Sequence, residues 1–210
     1  GEIPTMPSPA EAGPAEAAAE EPPSPLVELT VDDDRWSGAL GEDGPEALAG
    51  QAVTLALQGA GVAPSGWSVS FLFAGDDAVA DLNGRFRGKP SPTNVLSWPA
   101  FDLAPAFPGA RPEAPEREDG PWTDERESLG DVALAFDVCA REAEALGLSL
   151  RAHALHLAIH GTLHLLGYDH ERDEDAQVME GLERRLLVAA GEPDPYVEDE
   201  QPGPRARPEW

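Results

Sequence analysis

The sequence has little with which to build a cross-linked or broadly cationic protein. It holds one cysteine, Cys139, which excludes an intramolecular disulfide framework and a thiolate-rich zinc site and suits a reducing compartment. Basic residues are scarce. Against 40 Asp and Glu stand 14 Lys and Arg, a formal net charge of −26, and Lys89 is the only lysine. A surface of that sign does not coat nucleic acid or an anionic membrane, since both require clustered Lys and Arg. No apolar run approaches the ~20 residues of a membrane span. No basic-then-apolar leader opens the chain, and there is no internal repeat. Together these absences predict an acidic, cytoplasmic protein with neither a membrane nor a DNA partner.

What is present is unevenly distributed. Residues 1–25 carry seven prolines, five glutamates and no basic residue, too little apolar surface to offset the entropy of ordering. Residues 191–210 repeat the pattern with five prolines and six acids. Both predict disordered acidic tails. A third stretch, 100–127, with five prolines and eight acids, reads as an insertion between strands. These segments carry charges of −5, −4 and −5, so about half the net charge lies outside the predicted core.

Residues 26–190 read as one domain. Leu26–Val31 alternates as a strand, and Trp67–Phe73 is a second; Asn94–Trp98 and Asp131–Phe136 bracket the insertion. Helices are predicted over Pro45–Gln58, from about Asp76 to Asn83, from a cap at Asp137 to Leu146, from a cap at Ser149 to about Leu166, and over Asp173–Ala189. The fold class is α/β (α+β): a small mixed four-stranded sheet packed by about five helices.

All five histidines, His153, His156, His160, His164 and His170, fall within 18 residues. On a helix the first four share an arc of roughly 80°. His160 and His164 are i, i+4 neighbours that can converge on one ion, but so are His156 and His160. The third ligand decides. Gly167 is placed to end the helix, and the chain then turns to present His170. His153 lies ~10 Å along the helix from His160, too far to share an ion with His164. Three histidines without a fourth protein ligand describe an open metal site on a central helix. His153 and His156 are left to packing or to hydrogen bonding behind the ligands.

The spacing His160-x3-His164-x2-Gly167-x2-His170 is shared with the metzincin proteases, which carry a general-base Glu directly after the first histidine. Here that position is Gly161, so a peptidase is the second reading. Leu82–Phe101 holds no acid but carries Arg85, Arg87 and Lys89. Such a patch suits phosphate, and it equally suits a solvated helix end where cations complement the dipole. Phe86 and Trp98 flank it, as core residues or as stacking platforms. No side chain within the motif is an obvious general base. Asp131 and Asp169 are candidates for orienting a ligand histidine, and Asp169 equally for a turn.

The string HGTLHLLGYDH, His160–His170, closely resembles the YbeY family of bacterial metal-dependent endoribonucleases. LNGRFRGKPSPTNVLSWP (Leu82–Pro99), LGDV (Leu129–Val132) and REAEA (Arg141–Ala145) extend the resemblance over about Leu26–Ala190. The acidic tails, the 100–127 stretch and Trp98, where the family more often has Phe, depart from it. The resemblance implies cleavage of single-stranded RNA, maturation of the 3′ end of small-subunit ribosomal RNA and a part in ribosome quality control, with the small subunit or its assembly factors as partners. It implies one zinc ion per chain, or another divalent metal, on His160, His164 and His170. Arg87 and His160 become the catalytic candidates, with Arg85, Lys89 and Ser97 as substrate contacts. A non-catalytic ribosome-biogenesis factor, its metal closed by an acid from 100–127, is a third reading.

Overall fold

The computed structural model describes residues 26–117 and 125–196. Strands β1 (Val27–Val31), β2 (Trp67–Ala74), β3 (Val95–Pro99) and β4 (Glu127–Ala135) form one sheet in the order β1-β2-β4-β3. β1 and β4 run parallel to β2, and β3 runs antiparallel to β4. Parallel neighbours require crossovers. Helices α1 (Arg35–Leu40) and α2 (Gly44–Ala60) make the first, and α3 (Asp76–Arg87) lies within the second. After β4 come α4 (Phe136–Leu146), α5 (Leu150–Leu165) and α6 (Asp173–Ala189). Among the described residues, no helix is long and apolar enough to cross a membrane.

Strand alternation divides the sheet into two faces. Leu29, Phe71, Phe73, Val95, Val132 and Leu134 face the main core beneath α2 and α5. Leu72, Leu96, Trp98 and Ala133 face the other way, toward Val79 and Leu82 of α3. Helix α5 packs against α2, α4, α6, β3 and β4. Thirteen of its 16 residues are buried, so its apolar residues occur all round it instead of on one stripe. Ser149 caps it, its Oγ accepting from the Ala152 N–H at 3.0 Å. At its other end Gly167 adopts φ 97°. A Cβ there would meet the Leu103 carbonyl oxygen at 2.2 Å, so only glycine lets the chain leave the helix beneath the 100–105 strand of loop.

The mixed four-stranded sheet agrees with the sequence expectation, and the differences are local. There are six helices in the described residues, because α1 adds one. Its six residues are too few to register as a period, and it is held by tertiary contacts. Trp36 is fully buried, donates its indole N–H to the Ala74 carbonyl at 2.8 Å, and meets Phe73 and Phe136 edge-on. Helix α3 continues past Asn83 to Arg87 and ends at Gly88 in the left-handed conformation. β4 begins at Glu127, paired with Trp67 of β2. Asp137 lies in the first turn of α4 and is not its cap; its carboxylate accepts from Arg35 at 2.8 and 3.0 Å.

The stretch following β3 is tied to the domain along its described part. Phe101 packs edge-on against Trp67, and the Gly109 N–H bonds Asp175 Oδ1 at 2.9 Å. Residues 191–196 also belong to the folded part, with Arg184 bound to Asp194 at 3.0 Å and to the Tyr196 carbonyl at 3.1 Å. The tail expected over 1–25 and residues 197–210 of the one expected over 191–210 lie outside the described residues, as do 118–124.

Candidate metal centre

His160 and His164 project from the last two turns of α5, and His170 from the turn that follows Gly167. One ligand-capable atom of each lies within 4.8 Å of those of the other two. His160 is buried at 2% exposure, and His164 and His170 are half-buried. Asp169 Oδ1 accepts from the N–H of His170 at 2.7 Å and of Glu171 at 3.3 Å, so Asp169 is the residue of the turn that presents the third histidine.

The hydrogen bonds settle which nitrogens are available. His164 Nδ1 lies 2.9 Å from the Tyr168 carbonyl oxygen, which can only accept, so Nδ1 carries the proton. His160 Nδ1 faces Glu183 Oε1 at 2.5 Å. Burial alone pushes the Glu183 carboxyl up, but the facing His160 and the His156 hydrogen bond outweigh it and hold it well below the usual carboxylate range. An ionised carboxylate likewise only accepts. With both Nδ1 atoms so engaged, the two Nε2 atoms turn toward each other, 3.0 Å apart. Burial, reinforced by His160 and His170, lowers His164 to about 3, so its Nε2 offers a lone pair at neutral pH. His170 is lowered by burial and then by His160, and its Nδ1 is buried without a hydrogen-bond partner. Converging imidazoles, one with an orphaned nitrogen, fit a divalent cation. Among the described residues, those of 100–127 included, no carboxylate joins the three as a fourth ligand.

The centre opens into a cleft of about 470 Å³ whose walls include Arg87, Ser97, Phe101–Pro105, Arg172 and Asp175. Arg87, the last residue of α3, donates Nη2–H to the Ser97 carbonyl at 2.9 Å, which fixes its guanidinium on the cleft wall. The structure thus brings Arg87 and Ser97 to the three histidines. It does not bring the other cations. Arg85 turns to Asp81 at 3.2 Å, and Lys89 is exposed and does not line the cleft. Asp131 is no support for a ligand either. It faces the opposite side of the sheet, in a groove with Glu28, Phe86 and Trp98, where burial and then Glu28 raise its pKa.

The carboxylate that supports a ligand is Glu183, 23 residues beyond His160, and it also bonds His156 Nε2 at 2.9 Å. His153 bonds Glu142 at 3.0 Å. A signal for Glu183 does exist in the sequence: it is an acid within the apolar stripe Ala176, Met179, Leu182, Leu187 of α6. Arg172, at the start of α6, carried no such mark. Position 161 also has a structural reason. A Cβ on Gly161 would lie 2.8 Å from Val132 Cγ1 and 3.3 Å from Val95 Cγ2, so the sheet fills the space a peptidase glutamate needs.

A mixed sheet with three converging histidines at the end of its most buried helix, beside a cleft with an arginine in its wall, defines the class: a protein with a three-histidine cluster that could hold a metal ion. The family follows from known sequences. The model described as Endoribonuclease YbeY matches residues 32–191. Proteins named Endoribonuclease YbeY from Dinoroseobacter shibae and Ruegeria pomeroyi are each 48% identical, over 177 and 171 residues; they cover 84% and 81% of this chain and 93% and 98% of their own lengths. One from Paracoccus denitrificans is 45% identical over 183 residues, 87% of this chain and 96% of its own. The chain belongs to the YbeY endoribonuclease family and is an enzyme of the hydrolase class, a nuclease. That membership, with the packing at Gly161, replaces the peptidase and non-catalytic readings.

Proposed function

We propose that the protein is a zinc-dependent endoribonuclease that cuts single-stranded RNA in the cytoplasm, acting with the small ribosomal subunit or its assembly factors in 3′ maturation of small-subunit ribosomal RNA and in ribosome quality control. The observation that carries the chemistry is the convergence of three imidazoles, with ligand-capable atoms within 4.8 Å of one another, beside Arg87 in the wall of the same cleft. The ribosomal role rests on the family resemblance.

His160, His164 and His170 would hold the ion. When bound, it supplies Lewis acidity toward a phosphoryl oxygen and makes water a competent nucleophile near neutral pH. The remaining work belongs to side chains of the chain itself. Arg87 has five N–H donors on a planar fork, and the one given to the Ser97 carbonyl holds that fork in place before substrate arrives. Such preorganised donors act on charge that grows on the phosphoryl oxygens as the bond breaks. Ser97 is thereby a positioning residue through its backbone.

Cleavage of a single-stranded ribosomal RNA fragment, measured with and without chelator, tests the proposal. Activity is expected to vanish on metal removal and to return with added zinc. Undiminished cleavage by metal-free protein sinks it.

A further inference from the structure

Glu183 is an expensive residue to bury. It is 0% exposed on a helix face otherwise made of Met179, Leu182 and Leu187, and a buried carboxylate is tolerated only when its oxygens are well bonded. Three groups converge on it. Oε1 accepts from His160 Nδ1, Oε2 accepts from His156 Nε2 at 2.9 Å, and the Tyr196 hydroxyl donates to Oε2. Tyr196 arrives from the turn after α6, which Arg184 anchors at Asp194 and at the Tyr196 carbonyl. Its ring meets His156 edge-on at 5.6 Å.

The two ligands on α5 are therefore supported unequally. His164 donates to a neutral backbone carbonyl. His160 donates to a charged carboxylate, a stronger bond that fixes the tautomer and adds electron density at Nε2. We infer that Glu183, held in place by Tyr196 and His156, is a positioning residue that sets His160 as the strongest ligand of the centre, so that the segment after α6 governs how tightly the ion is held. This rests on the reading that the three histidines bind a metal.

The test uses the full chain and cobalt(II), whose affinity is read by competition with a chromophoric chelator and whose ligand environment is read by visible absorption. The thermal midpoint of metal-free protein serves as the fold control. Glu183→Gln keeps the volume and an acceptor but removes the charge. It is expected to weaken cobalt binding about 10- to 100-fold and to shift the absorption bands, with the metal-free midpoint near that of the wild type. Tyr196→Phe removes only a hydroxyl and is expected to weaken binding to a lesser degree. Wild-type affinity and spectrum in Glu183→Gln overturn the inference. Should Glu183→Gln fail to fold, Tyr196→Phe decides: weakened binding supports the inference and unchanged binding overturns it. A wild-type chain that binds no cobalt overturns the metal reading as well, a failure visible before either variant is measured.

Discussion

Gly161 and Arg87 show how single positions set this site. At 161 the backbone of α5 lies so close to β3 and β4 that a methyl group presses on Val132, a β-branched side chain with little freedom to move. Overpacking costs about 1–3 kcal/mol, against which alanine recovers about 1 kcal/mol of helix propensity over glycine. Gly161→Ala is expected to lower stability by up to ~2 kcal/mol in urea unfolding; an unchanged midpoint would mean that Val132 yields. At 87 the expectation is opposite in kind. Arg87 is on the surface end of α3, so Arg87→Ala should leave fold and metal content intact while RNA cleavage drops about 10²-fold, as read by single-turnover kinetics. Cleavage at the wild-type rate would remove Arg87 from the mechanism.

Residues of both kinds differed in how far the sequence revealed them. The three candidate ligands sit within 11 residues, so their spacing alone places them together. Arg87 stood out by local charge and by the family motif, but nothing local separated it from Arg85, two residues away on the same helix. Only the direction of each side chain does so, one toward Ser97 and the other toward Asp81. Glu183 and Tyr196 reach the centre from α6 and beyond. That contact is tertiary, and a single sequence does not report it.

Among the elements, α5 and α6 were legible from caps, breakers and apolar residues, whereas α1 was not. Six residues around one tryptophan make a helix only because Ala74, Phe73 and Phe136 receive it. The stretch 100–127 shows the same limit. Composition marks Phe101–Pro105 as loop, and the fold makes it a wall of the cleft. The end of α5 also carries a pH dependence. His164 titrates near 6.5 when unfolded and at about 3 in the fold, with burial as the leading cause, and His170 shifts the same way. A lowered folded value means that these groups favour the fold above pH 6.5, and that this contribution is lost as pH falls from 6.5 toward 3. The thermal midpoint of metal-free protein should therefore drop between pH 7 and 5, and drop less in His164→Asn. Equal slopes in both proteins would contradict the assignment.

For the whole molecule, a net charge of −26 remains in tension with an RNA substrate, and the cleft shows how the two are reconciled. Of the three cations in the acid-free stretch, the cleft includes Arg87 alone; Arg172, from the start of α6, is paired with Asp175 at 3.4 Å. Each phosphate neutralised on a single strand contributes about −0.7 to the slope of log affinity against log salt. The expected slope is accordingly shallow, near −1, and acidic surroundings reduce it further as salt screens repulsion. A slope of several units in a filter-binding titration would show broad backbone contact instead. Binding this local selects substrate by fit to the cleft, and long-range attraction contributes little.

The burial of α5 has a kinetic corollary. Amides in the most enclosed helix of a domain exchange with solvent only when the whole domain opens, whereas those of a turn exchange through small local excursions. His160 and His164 stand on the first kind of backbone and His170 on the second. In metal-free protein, deuterium uptake should separate the two sides of the centre, slow through 155–165 and fast through 167–172, and metal should slow the second segment far more than the first. An ion would then come and go at the His170 side, over a pair of ligands that never leave their places.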